Sequence, residues 1–281
     1  MSIRLKALLD DVLSPEEKCS VSSSYDVIGD IIIIKIPESL LNKKYSIGAK
    51  LLENSKSAKS VFLQTSSVEG DFRLRKLEHL AGSDQRITEH REYGCRFVVD
   101  VGQVYFSPRL STERHRIANS IKDYETVTNM FAGVGTFSIL IAKNNLNSKV
   151  FSIDSNPRAS LFCNINTRLN KVQDRVFPFC GDGKYIAGKV LSGVSDRVLM
   201  PLPEKAREFI DSAVKCLRYK GGTVYFFAHI RGENRKNAIY NGTLNATKAF
   251  KEYNHMVSCT RVVREVGPRL FQTVSEVAVV K

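Results

Sequence analysis

Val127-Thr-Asn-Met-Phe-Ala-Gly-Val-Gly-Thr-Phe-Ser-Ile-Leu-Ile-Ala-Lys143 carries the pattern that decides the fold. It reads as a short apolar strand, a turn holding Gly133 and Gly135, and a helix from about Phe137 onward. Glycines let the backbone of such a turn pass close to a ligand, and the helix behind it offers N–H groups at its start. The next apolar run, Lys149-Val-Phe-Ser-Ile-Asp154, ends in an acid. A carboxylate at the tip of the second strand is where a nucleoside has its ribose hydroxyls bound. Gly-x-Gly by itself is no more than a tight strand-to-helix turn, and the paired acid is what turns it into a nucleoside site. Ser138 stands where a dinucleotide fingerprint needs its third glycine. Phe-x-Gly-x-Gly with a strand-end acid therefore suits S-adenosyl-L-methionine, which has no phosphate to cradle.

Working outward, strands at 126–130, 149–153 and 175–179 alternate with helices at 137–144 and 157–170. Such alternation specifies a parallel sheet covered by helices on both faces. Cys180-Gly-Asp182 closes the third strand with a second acid, placed for an adenine amino group. Asp196–Met200 is a fourth strand, followed by Pro201-Leu-Pro203 and a helix over Glu204–Arg218. Gly221-Gly222 leads into the strand Thr223–Ala228, and a helix spans 234–252. The strands Met256–Val263 and Phe271–Val280 flank Gly267-Pro268 as a closing antiparallel hairpin. The expected fold is α/β, a Rossmann-like class I methyltransferase domain with a mostly parallel sheet. Ligands of open α/β sheets bind beyond the carboxyl ends of the strands. Phe131–Gly135, Asp154, Asp182 and Pro201–Pro203 all fall on that edge.

Upstream, residues 1–18 have helical spacing, Ile31–Ile36 form a strand ended by Pro37, 38–54 look helical, and Ser60–Thr65 form another strand. Residues 66–93 read as a polar connecting loop in which Arg75, Lys76 and Arg86 are solvated. Arg73, beside Phe72, is a candidate contact residue. Cys95–Val101 alternate as a strand that Val104–Phe106 continue. A helix starts in Ser107–Ala118, with Ser111 or Thr112 as its cap, Ile117 and Ile121 facing the core, and Arg109, Arg114 and Arg116 on its polar face. Glu113 is a dipole-favoured surface acid in its first turn. This gives a smaller α+β domain over 1–100 and a catalytic domain over 101–281.

The chain has 281 residues, 43% hydrophobic and 25% charged, which is ordinary for a globular protein. Its formal net charge of +13 points to a polyanionic partner, most simply a nucleic acid. The six cysteines are scattered without Cys-x-x-Cys or paired His, which argues against a zinc site and a disulfide framework. No apolar run approaches the length of a membrane span, and a cytoplasmic, monomeric protein is expected.

With these residues assembled, the chain resembles the archaeal and eukaryotic tRNA (guanine-37-N1)-methyltransferases. The resemblance rests on Ser24-Tyr-Asp-Val-Ile-Gly-Asp30, Phe72-Arg73, Leu77-Glu-His-Leu-Ala-Gly82, Val104-Tyr-Phe-Ser-Pro-Arg-Leu-Ser-Thr-Glu-Arg114, Met130-Phe-Ala-Gly-Val-Gly135, Ile153-Asp-Ser-Asn-Pro157 and Asp196-Arg-Val-Leu-Met-Pro-Leu-Pro203. It implies methyl transfer from S-adenosylmethionine to N1 of guanosine 37 in the anticodon loop of tRNA. It further implies Glu113 as the base that takes the N1 proton and Arg73 as the cation that steadies O6. Tyr105, Arg109, Phe131, Ala132, Gly133, Val134, Gly135, Asp154, Asp182 and Pro203 then fall at cofactor positions, and Arg73, Arg114 and Pro201 at substrate positions, with no metal.

Three departures stand out. Pro201 replaces the family's usual Asn, Asn129 replaces an acid, and the sequence opens at the family's middle domain, from which the resemblance leads us to expect that reading of the tRNA elbow is missing or supplied differently. The runner-up resemblance is to the wybutosine-pathway aminocarboxypropyltransferases, which act at the same tRNA position. They usually carry Gly-His after the glycine turn, where this chain has Gly135-Thr136. A non-catalytic RNA-binding homologue is the third reading.

Overall fold

The structure is a computed structural model that describes residues 5–21, 25–66 and 68–281. Ser24, part of one motif above, and residues 1–4 of the first expected helix lie outside the described residues. Contacts divide the chain into two units, one ending at Pro108 and one beginning at Arg109.

The first unit opens with α1 (Leu5–Leu8) and α2 (Pro15–Ser20), two short helices where one was expected. Ser14 makes the break. Its hydroxyl accepts from Glu17 N–H while the Glu17 carboxylate accepts from Ser14 N–H, a reciprocal cap that starts a new helix. The strands β1 (Asp26–Ile28), β2 (Ile31–Ile34), β3 (Ser60–Gln64) and β4 (Leu77–Gly82) form one sheet in that order. A two-turn 3₁₀ segment, Glu38–Lys43, leads into α3 (Lys44–Glu53), and this crossover makes β2 and β3 parallel. Leu5, Leu9, Leu13, Ile32, Ile34, Ile47, Leu51, Val61 and Leu63 build its core. A separate hairpin pairs β5 (Ile87–Glu92) with β6 (Cys95–Asp100).

Three expectations fail here. β4 and β5 occupy the stretch expected to be a loop. Their acids are paired: Glu78 accepts from Lys44 at 2.6 Å, and Glu89 accepts from Arg91 and Arg96. Val104–Phe106 is irregular and does not extend the sheet. Arg75 is largely buried, donating to the Asp26 carboxylate at 3.2 Å and to the Phe106 carbonyl at 2.9 Å.

The second unit begins with a 3₁₀ turn, Pro108–Leu110, and α4 (Ser111–Ser120). Neither Ser111 nor Thr112 caps α4; Leu110 holds the cap position, and the preceding turn replaces a side-chain cap. There follow β7 (Thr126–Asn129), α5 (Thr136–Asn144), β8 (Lys149–Asp154), α6 (Pro157–Leu169), β9 (Val176–Cys180) and α7 (Gly183–Tyr185), which continues as a π-helical turn through Val190. Then come β10 (Arg197–Met200), a 3₁₀ turn over Ala206–Phe209, α8 (Ile210–Cys216), β11 (Gly222–Arg231), α9 (Arg235–Ala249), β12 (Asn254–Gly267) and β13 (Leu270–Val280). The seven-stranded sheet has the order β12-β13-β11-β10-β7-β8-β9. β11, β10, β7, β8 and β9 are parallel, and β13 and β12 close the sheet antiparallel. The register of β12 on β13 slips at three places. This is the class I methyltransferase architecture.

The chain direction reverses beside β7, which has β10 on one side and β8 on the other, and the crevice at such a switch point is where these sheets take ligands. Gly135 starts α5 there with φ +89°, a left-handed conformation that glycine adopts without strain. A Cβ at Gly135 would stand 2.8 Å from the Cys163 sulfur and 3.0 Å from Ile139 Cδ1.

Gly135→Ala should therefore lose about 2–4 kcal/mol of stability in a urea titration, from strain and overpacking together. Arg75→Met should cost roughly 3 kcal/mol by leaving the Asp26 carboxylate buried without this partner.

Candidate active site at the carboxyl edge of the sheet

The loop after β7 is held from three directions. Met130 N–H donates to the Leu199 carbonyl of β10, Ala132 N–H donates to the Ile153 carbonyl of β8, and buried Asn166 on α6 donates to the Val134 carbonyl at 3.1 Å. Asn129, fully buried, bonds Ser138 of α5 through its amide and accepts from Phe131 N–H. It thus ties the strand end to the helix behind the turn. Asn166 had no sequence signal beyond being a polar residue inside an amphipathic helix.

Asp154 ends β8 beside this loop. Its carboxylate accepts from Gly133 N–H at 2.7 Å and from Asn156 N–H at 2.9 Å. Burial pushes its pKa up, and the two backbone bonds oppose that shift only in part. Two backbone donors leave lone pairs on both oxygens, which is the donor-accepting set that a ribose diol requires. The chemistry of the residues present therefore fits a nucleoside at this edge. Cys163, packed beneath Gly135, is held as a neutral thiol, its pKa pushed up to about 12 by burial and the nearby Asp154 charge.

Asp182 stands one strand further on, after β9. It is exposed and already caps α7, accepting from Tyr185 N–H at 2.7 Å. Phe131 packs edge-on against Phe209 with ring centroids 4.8 Å apart, an apolar wall that sequence reading missed because Phe209 lies in a short 3₁₀ turn. Pro201 and Pro203 are half-buried after β10, and the carbonyl of Leu202 between them accepts from Lys205 and Ala206 N–H. Phe131–Gly135, Asp154, Asp182 and Pro201–Pro203 thus share the edge.

The other sequence-predicted residues divide between the units. In the first, Arg73 has φ +55° in the turn after Gly70, and its guanidinium lies 4.3 Å from the centroid of the Tyr105 ring. These two residues come together as a cation–π pair. In the second, Arg109 is exposed, whereas Glu113 and Arg114 on α4 are buried, against the expectation of a polar surface. The Glu113 carboxylate is gripped by Arg116, which also reaches Glu276. Ile117 and Ile121 face the core. Among the described residues no group of three or more His, Cys, Asp or Glu side chains could hold a metal ion, and no helix is long and apolar enough to cross a membrane.

Known proteins share this arrangement. A family described as the TRM5/TYW2 methyltransferase domain matches residues 88–258, and the TYW2 N-terminal domain matches 5–85. The tRNA (guanine(37)-N(1))-methyltransferase Trm5b of Pyrococcus abyssi is 43% identical over 205 residues, covering 73% of this chain but 59% of that protein. The chain thus spans less than two thirds of the length of that curated relative. The tRNA 4-demethylwyosine(37)-methyltransferase Taw21 of Saccharolobus solfataricus is 31% identical over 256 residues, which cover 90% of this chain and 92% of that protein. A solved complex of aTrm5 and tRNALeu superposes with a TM-score of 0.84 at 31% identity, over 99% of this chain and 78% of the other. With a matching family domain across most of its length and the sheet order described above, the chain belongs to the TRM5/TYW2 methyltransferase family.

Proposed function

We propose that this protein transfers a methyl group from S-adenosylmethionine to N1 of guanosine 37 in the anticodon loop of a tRNA. The Asp154 carboxylate beside the glycine turn carries this reading, because its two backbone bonds orient it for a ribose diol. The names of the Pyrococcus abyssi relative and of the tRNA complex support the substrate. The +13 charge supports a polyanionic partner.

When bound, the cofactor supplies an electrophilic methyl group on its sulfonium. The protein's own residues do the rest. Asp154 holds the ribose, Gly133, Val134 and Gly135 keep the loop backbone close to it, and Phe131 with Ala132 lines the apolar side. Tyr105, Arg109, Asp182 and Pro203 complete the cofactor contacts, with Asp182 turning its second oxygen to the adenine amino group. The target base must leave the stacked loop to reach the methyl carbon. Arg73 then steadies the charge growing on O6, Arg114 and the Pro201 carbonyl contact the nucleotide, and Glu113 accepts the N1 proton. Exposed basic side chains, among them Arg86, Arg91, Arg109, Arg231, Arg235 and Lys236, contact phosphates.

A second reading concerns the acceptor. The Saccharolobus solfataricus relative, named for 4-demethylwyosine, is spanned over 92% of its length, against 59% for the guanosine enzyme. That coverage favours 4-demethylwyosine at the same tRNA position as a second acceptor.

Incubation with S-adenosylmethionine and tRNA carrying either guanosine 37 or 4-demethylwyosine, followed by nucleoside mass spectrometry, tests both. One added methyl on guanosine supports the main reading and one on the tricycle supports the second. An aminocarboxypropyl adduct, or cofactor binding without product, sinks both. Glu113→Gln should lower the rate about 100-fold or more. Asp154→Asn should weaken cofactor binding about 10- to 100-fold by calorimetry, because an amide cannot accept all the bonds a carboxylate does. The ionised carboxylate is the better acceptor for ribose hydroxyls. Cofactor affinity should thus fall on acidification, beginning above the ordinary aspartate value of 3.8 because the folded pKa is raised.

A further inference from the structure

Glu113 and Arg116 lie one turn apart on α4, and the guanidinium closes on the carboxylate as a fork. Arg116 Nη2 donates to Oε1 at 2.6 Å, while Nε donates to Oε1 at 3.0 Å and to Oε2 at 3.1 Å. The remaining nitrogen, Nη1, donates to Glu276 Oε1 at 2.6 Å. Side-chain exposure is 9% for Glu113, 24% for Arg116 and 20% for Glu276, so all three charges are largely out of water. Burial works against the Arg116 charge, but the two carboxylates outweigh it and hold the guanidinium protonated more firmly than usual.

An exposed pair three residues apart on a helix contributes little and leaves both side chains mobile. This pair differs because its far end is fixed. Glu276 sits on β13 in register with Tyr225 of β11, inside the sheet. The chain Glu276–Arg116–Glu113 therefore runs from the sheet to the carboxylate and leaves it one orientation. A proton acceptor must meet its donor within hydrogen-bond reach, and small errors of placement are costly in rate.

We propose that Arg116, anchored by Glu276, is the positioning residue that aims the Glu113 carboxylate at the target base. This rests on the function proposed above. Glu113 Oε1 takes two N–H groups from Arg116 and Oε2 takes one, so Oε2 has the larger accepting capacity left. As the N1 electron pair forms its bond to the methyl carbon, the carbon–sulfur pair leaves with sulfur and the N1 proton passes to Oε2. Arg116 keeps its own proton throughout.

The test compares wild type, Arg116→Met, Arg116→Lys, Glu276→Gln and Glu113→Gln in single-turnover methyl transfer at saturating tRNA and S-adenosylmethionine, with dissociation constants measured separately. Arg116→Met should slow the chemical step at least about tenfold with both dissociation constants within about twofold. Arg116→Lys should recover part of the rate, and Glu276→Gln should show a smaller loss in the same step. A full rate for Arg116→Met overturns the proposal, and so does a loss confined to tRNA affinity, which makes Arg116 a phosphate contact instead. Should Arg116→Met fail to fold by circular dichroism, Arg116→Lys and Glu276→Gln decide: unchanged rates in both overturn it. Wild type inactive on every acceptor overturns the proposed function itself. An active wild type with a slow Glu113→Gln and a fast Arg116→Met overturns this inference alone.

Discussion

Two backbone N–H groups meet on the carboxylate of Asp154, and the carboxyl edge of the sheet is arranged around that meeting. One comes from Gly133 in the loop after β7 and the other from Asn156 at the start of α6. The bond to Gly133 links two neighbouring strands at the place where the chain changes direction. It requires the left-handed backbone at Gly133, φ +55°, and Gly135 follows with the same handedness. Packing beneath the turn then leaves no room for a Cβ at Gly135. A carboxylate drawn this far from water is costly to keep ionised, and the raised pKa records the cost. Hydroxyl donors brought to its free lone pairs would offset that cost.

The second unit is legible in the sequence because its signals are redundant. Apolar strands, glycine turns and strand-end acids repeat from Thr126 to Ala228, and each repeat predicts the same edge. The first unit was less legible for a physical reason. Leu77–Gly82 and Ile87–Glu92 bury only part of one face each and pair their acids with Lys44 of α3 and Arg96 of β6, so a polar stretch there is strand and not loop. Arg75 and Arg114 were misread in the same way, since a sequence shows a charge but not the acceptor that lets it be buried. Glu113 illustrates the limit most plainly. Its role is expected from resemblance alone, its burial has no sequence signal, and the Arg116 fork shows only as an i,i+3 spacing that surface pairs share.

Pro201 and Pro203 bracket a loop whose middle carbonyl, on Leu202, is committed to the turn into Ala206. Two fixed φ angles make this entry stiff. A stiff loop can present a backbone carbonyl in a constant direction, which is a different solution from a side-chain amide that rotates to find its base. The apolar wall of Phe131 and Phe209 stands on the same edge and depends on the same short turn for the placement of Phe209.

The slipped register of β12 has a consequence for life at high concentration. β12 is a long border strand, Asn254–Gly267, with one side unclaimed by any neighbour in its sheet. A straight strand of that length would be a template on which another molecule could continue the sheet. Three bulges break the regular rhythm of its donors and acceptors, and Arg261 and Glu265 project from it into solvent. An incoming strand would meet mismatched hydrogen bonds and desolvated charge, so the border that completes the fold is a poor template for extending it.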